Sequence, residues 1–427
     1  MKNTVEESLS KLRDIATVGD IRAEAAKGKQ PSPRPKTNIH IHLPPNFSAF
    51  ESVGQAVELA ARQGVKVVGA SNYYDYDVYG EYIAQARKHG IFPLFGLEII
   101  AMDDDLRRAG VKLNDPGNPG KLYICGKGIT RFASLSAEAQ RLIEVIRRND
   151  TQRMAEMIRR MEKAFAAHGA ATGLDLPAVV NRIVARHGCK KETVCPQERH
   201  LAQAFQEVLF EKVPSGQRLD TLAAILGARP RSEKPVKVQN DIRSHLMKAG
   251  KPAFVEEAFL NLEQAKRLIL ELGGIPCYPT LADGTSPICP FEEPVEKLIG
   301  NIRKWNVWCV EFIPLRNTPD VLARYVKALR AAGLVVTAGT EHNTLDLVPL
   351  EPACVGGAAV PEEIKELFWE GVCVVAAHQF LCLHGECGFV DGQGRPNPAY
   401  TSAEERIGAF RKLGAAVIQR YLEKSDK

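Results

Sequence analysis

Two histidines stand two positions apart in the run TNIHIHL at residues 37–43, and a glutamate, Glu98, interrupts the apolar run IFPLFGLEII at residues 91–100. A β-strand repeats its side-chain direction every two residues, so His40 and His42 face one side and can grip a single ion. A carboxylate inside an apolar strand must be paired, ligated or solvated, which makes Glu98 the natural companion of the two imidazoles. Glu341 and His342, directly after LVVTAGT, repeat the anomaly. Two imidazoles with two carboxylates (His40, His42, Glu98, Glu341) suit zinc, manganese or ferrous iron better than magnesium or calcium, which prefer all-oxygen shells. The competing reading is structural, because a strand histidine is more often a hydrogen-bonded core residue than a ligand.

One ion so held would lower the pKa of a bound water from about 15.7 toward about 7 and orient it for attack on an ester, amide or phosphate monoester. Arg316 or Lys127 would then neutralise developing charge. His342 suits proton transfer near neutral pH, or a hydrogen bond to a ligand, or ligation in place of Glu341. The segment NYYDYDVYGEY at residues 72–82 places five tyrosines in eleven residues. From it Asn72, Tyr73 and Tyr74 are expected to meet the substrate, together with Tyr123, Tyr278 and Asn343; the alternative is that the rings fill core volume. Asp75 and Asp77 read as solvent-facing loop acids, the alternative being that one approaches the metal. His378, Cys382, His384 and Cys387 have spacing open to a structural zinc knot, and Cys189 and Cys195, beside His187 and His200, form a weaker group of the same kind.

What must position these residues is an alternation of short β-branched runs with helical patterns, the signature of a parallel α/β fold whose chemistry sits at the strand ends. Strands are predicted at 37–43, 65–71, 91–100, 121–128, 275–280, 306–314 and 334–343. Residues 134–250 read as successive helices, an insertion between the two parts of a barrel. The divisions are residues 1–35, an N-terminal helix and basic Pro-rich linker; 36–130, the first part of the barrel; 131–254, the insertion; and 255–427, the second part with a C-terminal helix. The insertion's basic stretches could form a lid or an oligomer face.

The balance of 56 Lys+Arg against 51 Asp+Glu, a formal +5 spread along the chain, gives no basic patch for nucleic acid, and no run approaches the apolar length of a membrane helix. The first residues lack the apolar stretch of a signal peptide, and the ten cysteines sit mostly in apolar runs, as reduced core thiols do. The expectation is a cytoplasmic protein with a small-molecule substrate.

HIHL, the GLE at 96–98 and GTEH at 339–342, in that order across about seven βα units, resemble the PHP (polymerase and histidinol phosphatase) superfamily of metal-dependent hydrolases. The resemblance covers residues 36–100 and about 255–345, and implies a distorted (β/α)7 TIM-like barrel with up to three metals at its mouth. Departures from the family pattern fall at Ser71-Asn72-Tyr73 for a T-D-H-like segment, Tyr123 for a fourth-strand histidine, Tyr278 for the histidine of an H-P pair, Asn343 for a terminal histidine, and Ser48 for a ligand position. The family's first site uses the H-x-H pair, the strand-three glutamate and the late carboxylate, which correspond to His40, His42, Glu98 and Glu341. The resemblance therefore implies one divalent metal per chain (Zn, Mn or Fe) in a hydrolase, with phosphorylated small molecules as the superfamily-level substrate guess. The rivals are an inert PHP-like barrel serving as ligand-binding or scaffold protein, and an amidohydrolase-like enzyme, which H-x-H also suits but which lacks here a carbamylatable lysine and paired downstream histidines.

Overall fold

The computed structural model describes residues 5–28 and 33–425. Its centre is a single sheet of β1 (Lys36–Ile41), β2 (Val65–Asn72), β3 (Phe92–Met102), β4 (Lys121–Lys127), a two-residue β5 (Leu260–Asn261), β6 (Ile275–Thr280), β7 (Cys309–Phe312) and β8 (Val335–Ala338). The strand order is β1-β2-β3-β4-β6-β7-β8, with β5 added beside β3. All seven long predicted runs form strands, and amphipathic helices connect most of them across the outside of the barrel.

The sheet is not wholly parallel, as the alternation had suggested: β4 runs antiparallel to both β3 and β6. A parallel return needs a full crossover, and residues 103–120 supply only the five-residue helix Asp104–Arg108 before turning back. The reversal decides what β4 shows at the mouth. Tyr123 lies opposite Ile100, Cys125 opposite Glu98 and Lys127 opposite Gly96, so Lys127 sits below the level of Glu98 and the ring of Tyr123 above it.

The sheet almost closes into a barrel where the chain after β8 reaches β1. Ile41 bridges to Glu341; the amides of Thr340 and Glu341 donate to the His40 carbonyl (3.1 and 2.8 Å), and the His42 amide donates to the Glu341 carbonyl (2.9 Å). This seam requires a glycine at 339, because a Cβ there would fall 2.2 Å from the Cβ of His40.

Beneath the N-terminal strand ends lies the helix Glu362–Leu383, where Gln379 accepts from the Phe95 amide (2.9 Å) and donates to the Pro93 carbonyl (3.0 Å). It is long and apolar enough to cross a membrane, but 78% of that apolar window is buried inside the protein, which accounts for its composition. The single helix expected near the N-terminus is two, Val5–Arg13 and Val18–Ala26, divided where Thr17 and Asp20 form a capping box. Part of the expected linker, residues 29–32, lies outside the described residues.

The insertion opens with the 30-residue helix Ala137–Ala166, which serves two cores. Leu142, Ile143 and Ile146 pack into the barrel core; Met154, Met157, Ile158, Met161 and Phe165 pack into a second core whose members all come from residues 154–253. The polar stretch RRND at 147–150 marks the change of partner. There Arg147 pairs with Asp75 (2.9 Å), while Lys190 pairs with Asp77 (3.0 Å), so the two acids expected to face solvent tie the insertion to the barrel.

Gly339→Ala should prevent the seam from closing as built. The expected outcome is a loss of at least about 1–3 kcal/mol, read from denaturant midpoints, because the clash is with backbone and Cβ atoms that cannot rotate away.

Candidate metal centre

His40 and His42 project from the end of β1 and just beyond it into the barrel, each nearly solvent-free (1% and 0% exposed). Their Nε2 atoms lie 3.4 Å apart, and Glu98 Oε2 stands 3.2 Å from the His40 Nε2 and 3.5 Å from that of His42. His40 Nδ1 is bonded to Glu311 Oε2 at 2.6 Å, and the other Glu311 oxygen receives Lys127 Nζ at 2.5 Å. Lys127 also donates to the Ile39 carbonyl (3.3 Å). With Glu311 accepting from Nδ1–H, the Nε2 of His40 is the nitrogen directed toward His42 and Glu98, and a metal ion bound there would take the place of its proton.

The donor set fits a divalent ion on several counts. Two ligands about 2.0–2.1 Å from a tetrahedral ion lie about 3.3 Å from each other, close to the separations seen here. The Nδ1 of His42 is buried with no hydrogen-bond partner, so the ring's only polar engagement is on its Nε2 side. Among the described residues one other group of potential ligands gathers, His40 with Cys125 and Glu311. It is the weaker choice, since His40 Nδ1 and both Glu311 oxygens are already engaged and burial pushes the Cys125 thiol up to about 12, far from the thiolate a metal requires.

Burial alone would lower the pKa of His40, but the Glu311 carboxylate outweighs it and the net shift is well upward. Burial works to raise the pKa of Glu98, and its bonds to His40 and His42 overturn this and hold it low. Glu311 is likewise held low against burial by His40 and Lys127. Tyr73 donates its hydroxyl to Glu98 Oε1 and lies flat on His42, with ring centroids 5.2 Å apart and planes 3° from parallel. Burial, then the Glu98 charge, drives its phenol pKa well up, so it stays a donor that aims Glu98.

Glu341 is not within that group of three. Its backbone stitches the seam at φ +62°, while its carboxylate is bound by Arg316 (2.5 Å) and Asn343 (2.7 Å). His342, at φ +50°, engages Thr340 Oγ1 through Nδ1 (2.6 Å) and the Val348 carbonyl through Nε2 (3.0 Å), and stacks on Phe50. Burial lowers its pKa. Left-handed φ at two consecutive non-glycine residues is costly and is held by the seam's backbone bonds.

Above the three donors opens a cavity of about 520 Å³, lined by Tyr73, Tyr74, Glu98, Tyr123, Arg316, Glu341 and Asn343 from the barrel side. His342, Asn72 and Tyr278 do not line it. Asn72 clasps the Leu43 backbone through both ends of its amide (2.8 Å each), and Tyr278 donates to Glu292 (2.9 Å), a fully buried carboxylate that also receives Thr280 Oγ1 and the Ala282 amide. Tyr76, Tyr79 and Tyr82 belong to the core, with Phe95 and Phe132. Ser48 donates to the His42 carbonyl (2.7 Å).

Glu311 is absent from the expected ligand set, although the alternation of NVWCVEFIP turns it to the same face as Cys309. What singles it out is its pairing with His40 and Lys127, visible only once β4, β7 and β1 meet. The two other histidine–cysteine groups do not assemble. His378 Nε2 is bonded to the Gly273 carbonyl, its Nδ1 accepts from the Phe389 amide, and Cys387 is exposed; burial takes His200 to about 3, and its Nδ1 caps Gln197.

No family model and no curated protein matches this sequence. Several solved structures resemble it, among them the following two. One, from Bifidobacterium adolescentis and named as a metal-dependent phosphoesterase, has a TM-score of 0.52 and 15% identity, covering 80% of this chain and 98% of that one. The other, an amidohydrolase from Chromobacterium violaceum with bound sulfate and no metal, has a TM-score of 0.49 and 16% identity, covering 78% and 96%. At such identities the first likeness is one of fold, and its near-complete coverage shows that the neighbour shares this architecture along almost its whole length.

Two outcomes are expected at this centre. Glu311→Gln should weaken binding of a transition-metal ion by about 10–100-fold in a competition titration, because it removes the charged partner that orients His40. Asp150, on the cavity wall, has its pKa raised to about 7, chiefly by burial and further by Glu257, against Arg153 and Lys121. The folded protein therefore binds a proton the unfolded chain releases above its ordinary value near 3.8, and stability falls as pH rises through that interval. Asp150→Asn should stabilise the protein at pH 8 and leave it unchanged near pH 3.5, as followed by thermal melts across pH.

Proposed function

We propose that this protein is a metal-dependent hydrolase of the PHP type that uses one divalent ion, zinc, manganese or iron, to cleave a phosphorylated small molecule. The observation that carries the reading is the buried convergence of His40 Nε2, His42 Nε2 and Glu98 Oε2, with Glu98 reaching the cavity wall and Glu311 behind His40. When bound, the ion supplies Lewis acidity and a water of lowered pKa.

The chain's own residues set the rest. Glu311 and Lys127 fix the His40 tautomer from below, and Tyr73 fixes Glu98 from the side. Tyr74, Tyr123 and Asn343 line the space a substrate would occupy, and Arg316 stands in the same wall with its charge available to an incoming anion once Glu341 yields it. His342, with both ring nitrogens engaged away from the cavity, acts as a positioning residue for the loop carrying Glu341.

A non-catalytic, ligand-binding barrel is the competing reading, and one observation favours it: Glu341, the family's late ligand, is neutralised by Arg316 and stands outside the donor group. Metal analysis by mass spectrometry separates the two. For the hydrolase, wild-type protein should carry about one equivalent of transition metal, the His40→Ala/His42→Ala variant none, and only the former should release p-nitrophenol from p-nitrophenyl phosphate. Wild-type protein that stays metal-free after reconstitution would leave the ligand-binding barrel.

A further inference from the structure

The face of the cavity opposite the barrel belongs to the insertion, and it is rich in cations: Arg153, Arg199, Arg243 and Lys248 all line it. Three of them share one carboxylate, Glu198, at 2.6 Å (Arg153), 3.6 Å (Arg243) and 2.9 Å (Lys248). Arg153 is further fixed by Glu257 (3.0 Å) and by the Val255 carbonyl (3.1 Å), so it is committed to structure.

Arg199 and Arg243 are not so committed. Among the described residues Arg199 has no hydrogen bond and no ion pair; its guanidinium lies over the Phe47 ring, 6.0 Å from the centroid. The Nε of Arg243 is buried without a partner, and its one ion pair is the long contact to the oversubscribed Glu198. The two guanidinium groups repel each other, and burial together with Arg243 drives the pKa of Arg199 down to about 10. Two half-buried, mutually repelling cations turned into a cavity are an unfavourable arrangement unless an anion completes it.

The local backbone supports this placement. Arg199 sits in the first turn of the helix Glu198–Lys212, and the N-cap Gln197 and first residue Glu198 also line the cavity, so the helix begins at the cavity wall. Arg243 begins the segment Arg243–Met247, the one π-helical turn among the described residues, a distortion common where a side chain is redirected for function.

We infer that Arg199 and Arg243 form an anion clamp, contributed by the helical insertion, that recognises the phosphoryl dianion of the substrate over the barrel's donor group. The assignment rests on the hydrolase reading for its substrate and adds to it the residues that select that substrate. Two guanidinium forks match the geometry of a tetrahedral oxyanion and balance two negative charges, whereas a carboxylate would leave one cation uncompensated. The insertion is thereby a specificity element as well as a cover.

The test is calorimetric titration of inorganic phosphate, and separately of acetate, into wild-type protein and into Arg199→Gln, Arg243→Gln and Arg199→Lys, with metal content measured on the same samples. Phosphate should bind the wild type about tenfold or more tightly than either glutamine variant, with Arg199→Lys between them and acetate weak throughout. Metal content should be equal in all four proteins. Without phosphate, Arg199→Gln should melt no lower than the wild type, because it relieves repulsion and removes no hydrogen bond; a purely structural arginine would lower the melting temperature.

Equal phosphate affinity in folded glutamine variants, or no phosphate binding by the wild type up to about 10 mM, would overturn the clamp. Acetate binding as tightly as phosphate would overturn the phosphoryl assignment. A metal-free wild type that still binds phosphate through these arginines would instead remove the hydrolase reading and keep the clamp.

Discussion

The centre of this protein is organised by a buried ion chain, Lys127 to Glu311 to His40, with both contacts at or near 2.5 Å and all three groups within 2% of full burial. A lone charge in such a place would be driven to neutrality, so each member persists only while the others are present. The chain fixes three strands against one another: β4 brings the ammonium, β7 the carboxylate and β1 the imidazole. It also determines which nitrogen of His40 faces the cavity, and so whether the three donors above it can serve an ion at all.

This explains why the reversed direction of β4 matters beyond topology. Were the strand parallel, as its neighbours are, its last residues would lie at the mouth and Lys127 would reach the substrate space. Antiparallel, it delivers Lys127 beneath Glu98 and leaves Tyr123 in the wall above. The lysine that the sequence offers as a charge for the substrate is instead the counter-charge of the glutamate that holds His40.

The cavity joins two bodies of different origin. Its floor is made by strand ends whose side chains are held by many partners. Its roof comes from an insertion with its own hydrophobic core, joined to the barrel by the helix Ala137–Ala166 and by the pairs Arg147–Asp75 and Lys190–Asp77. The barrel side of the cavity presents Glu98 and Glu341, and the insertion side presents guanidinium groups, so the space lies between walls of differing charge.

Much of this could be read along the chain. The seven strand runs, the helical character of residues 134–250, and the pairing of His40 with His42 follow from local periodicities of two and 3.6, which tertiary context did not override. Glu98 announces itself because a carboxylate in an apolar strand needs a reason. What only the tertiary structure decided are the relations between distant segments. The direction of β4, the partnership of Glu311 with His40, the capture of Glu341 by Arg316, the burial of Tyr278 on Glu292, and the meeting of Arg199 with Arg243 all join residues that no spacing rule connects. A pattern records which way a side chain points from its own strand or helix; which group it meets there depends on how the elements close around a common core.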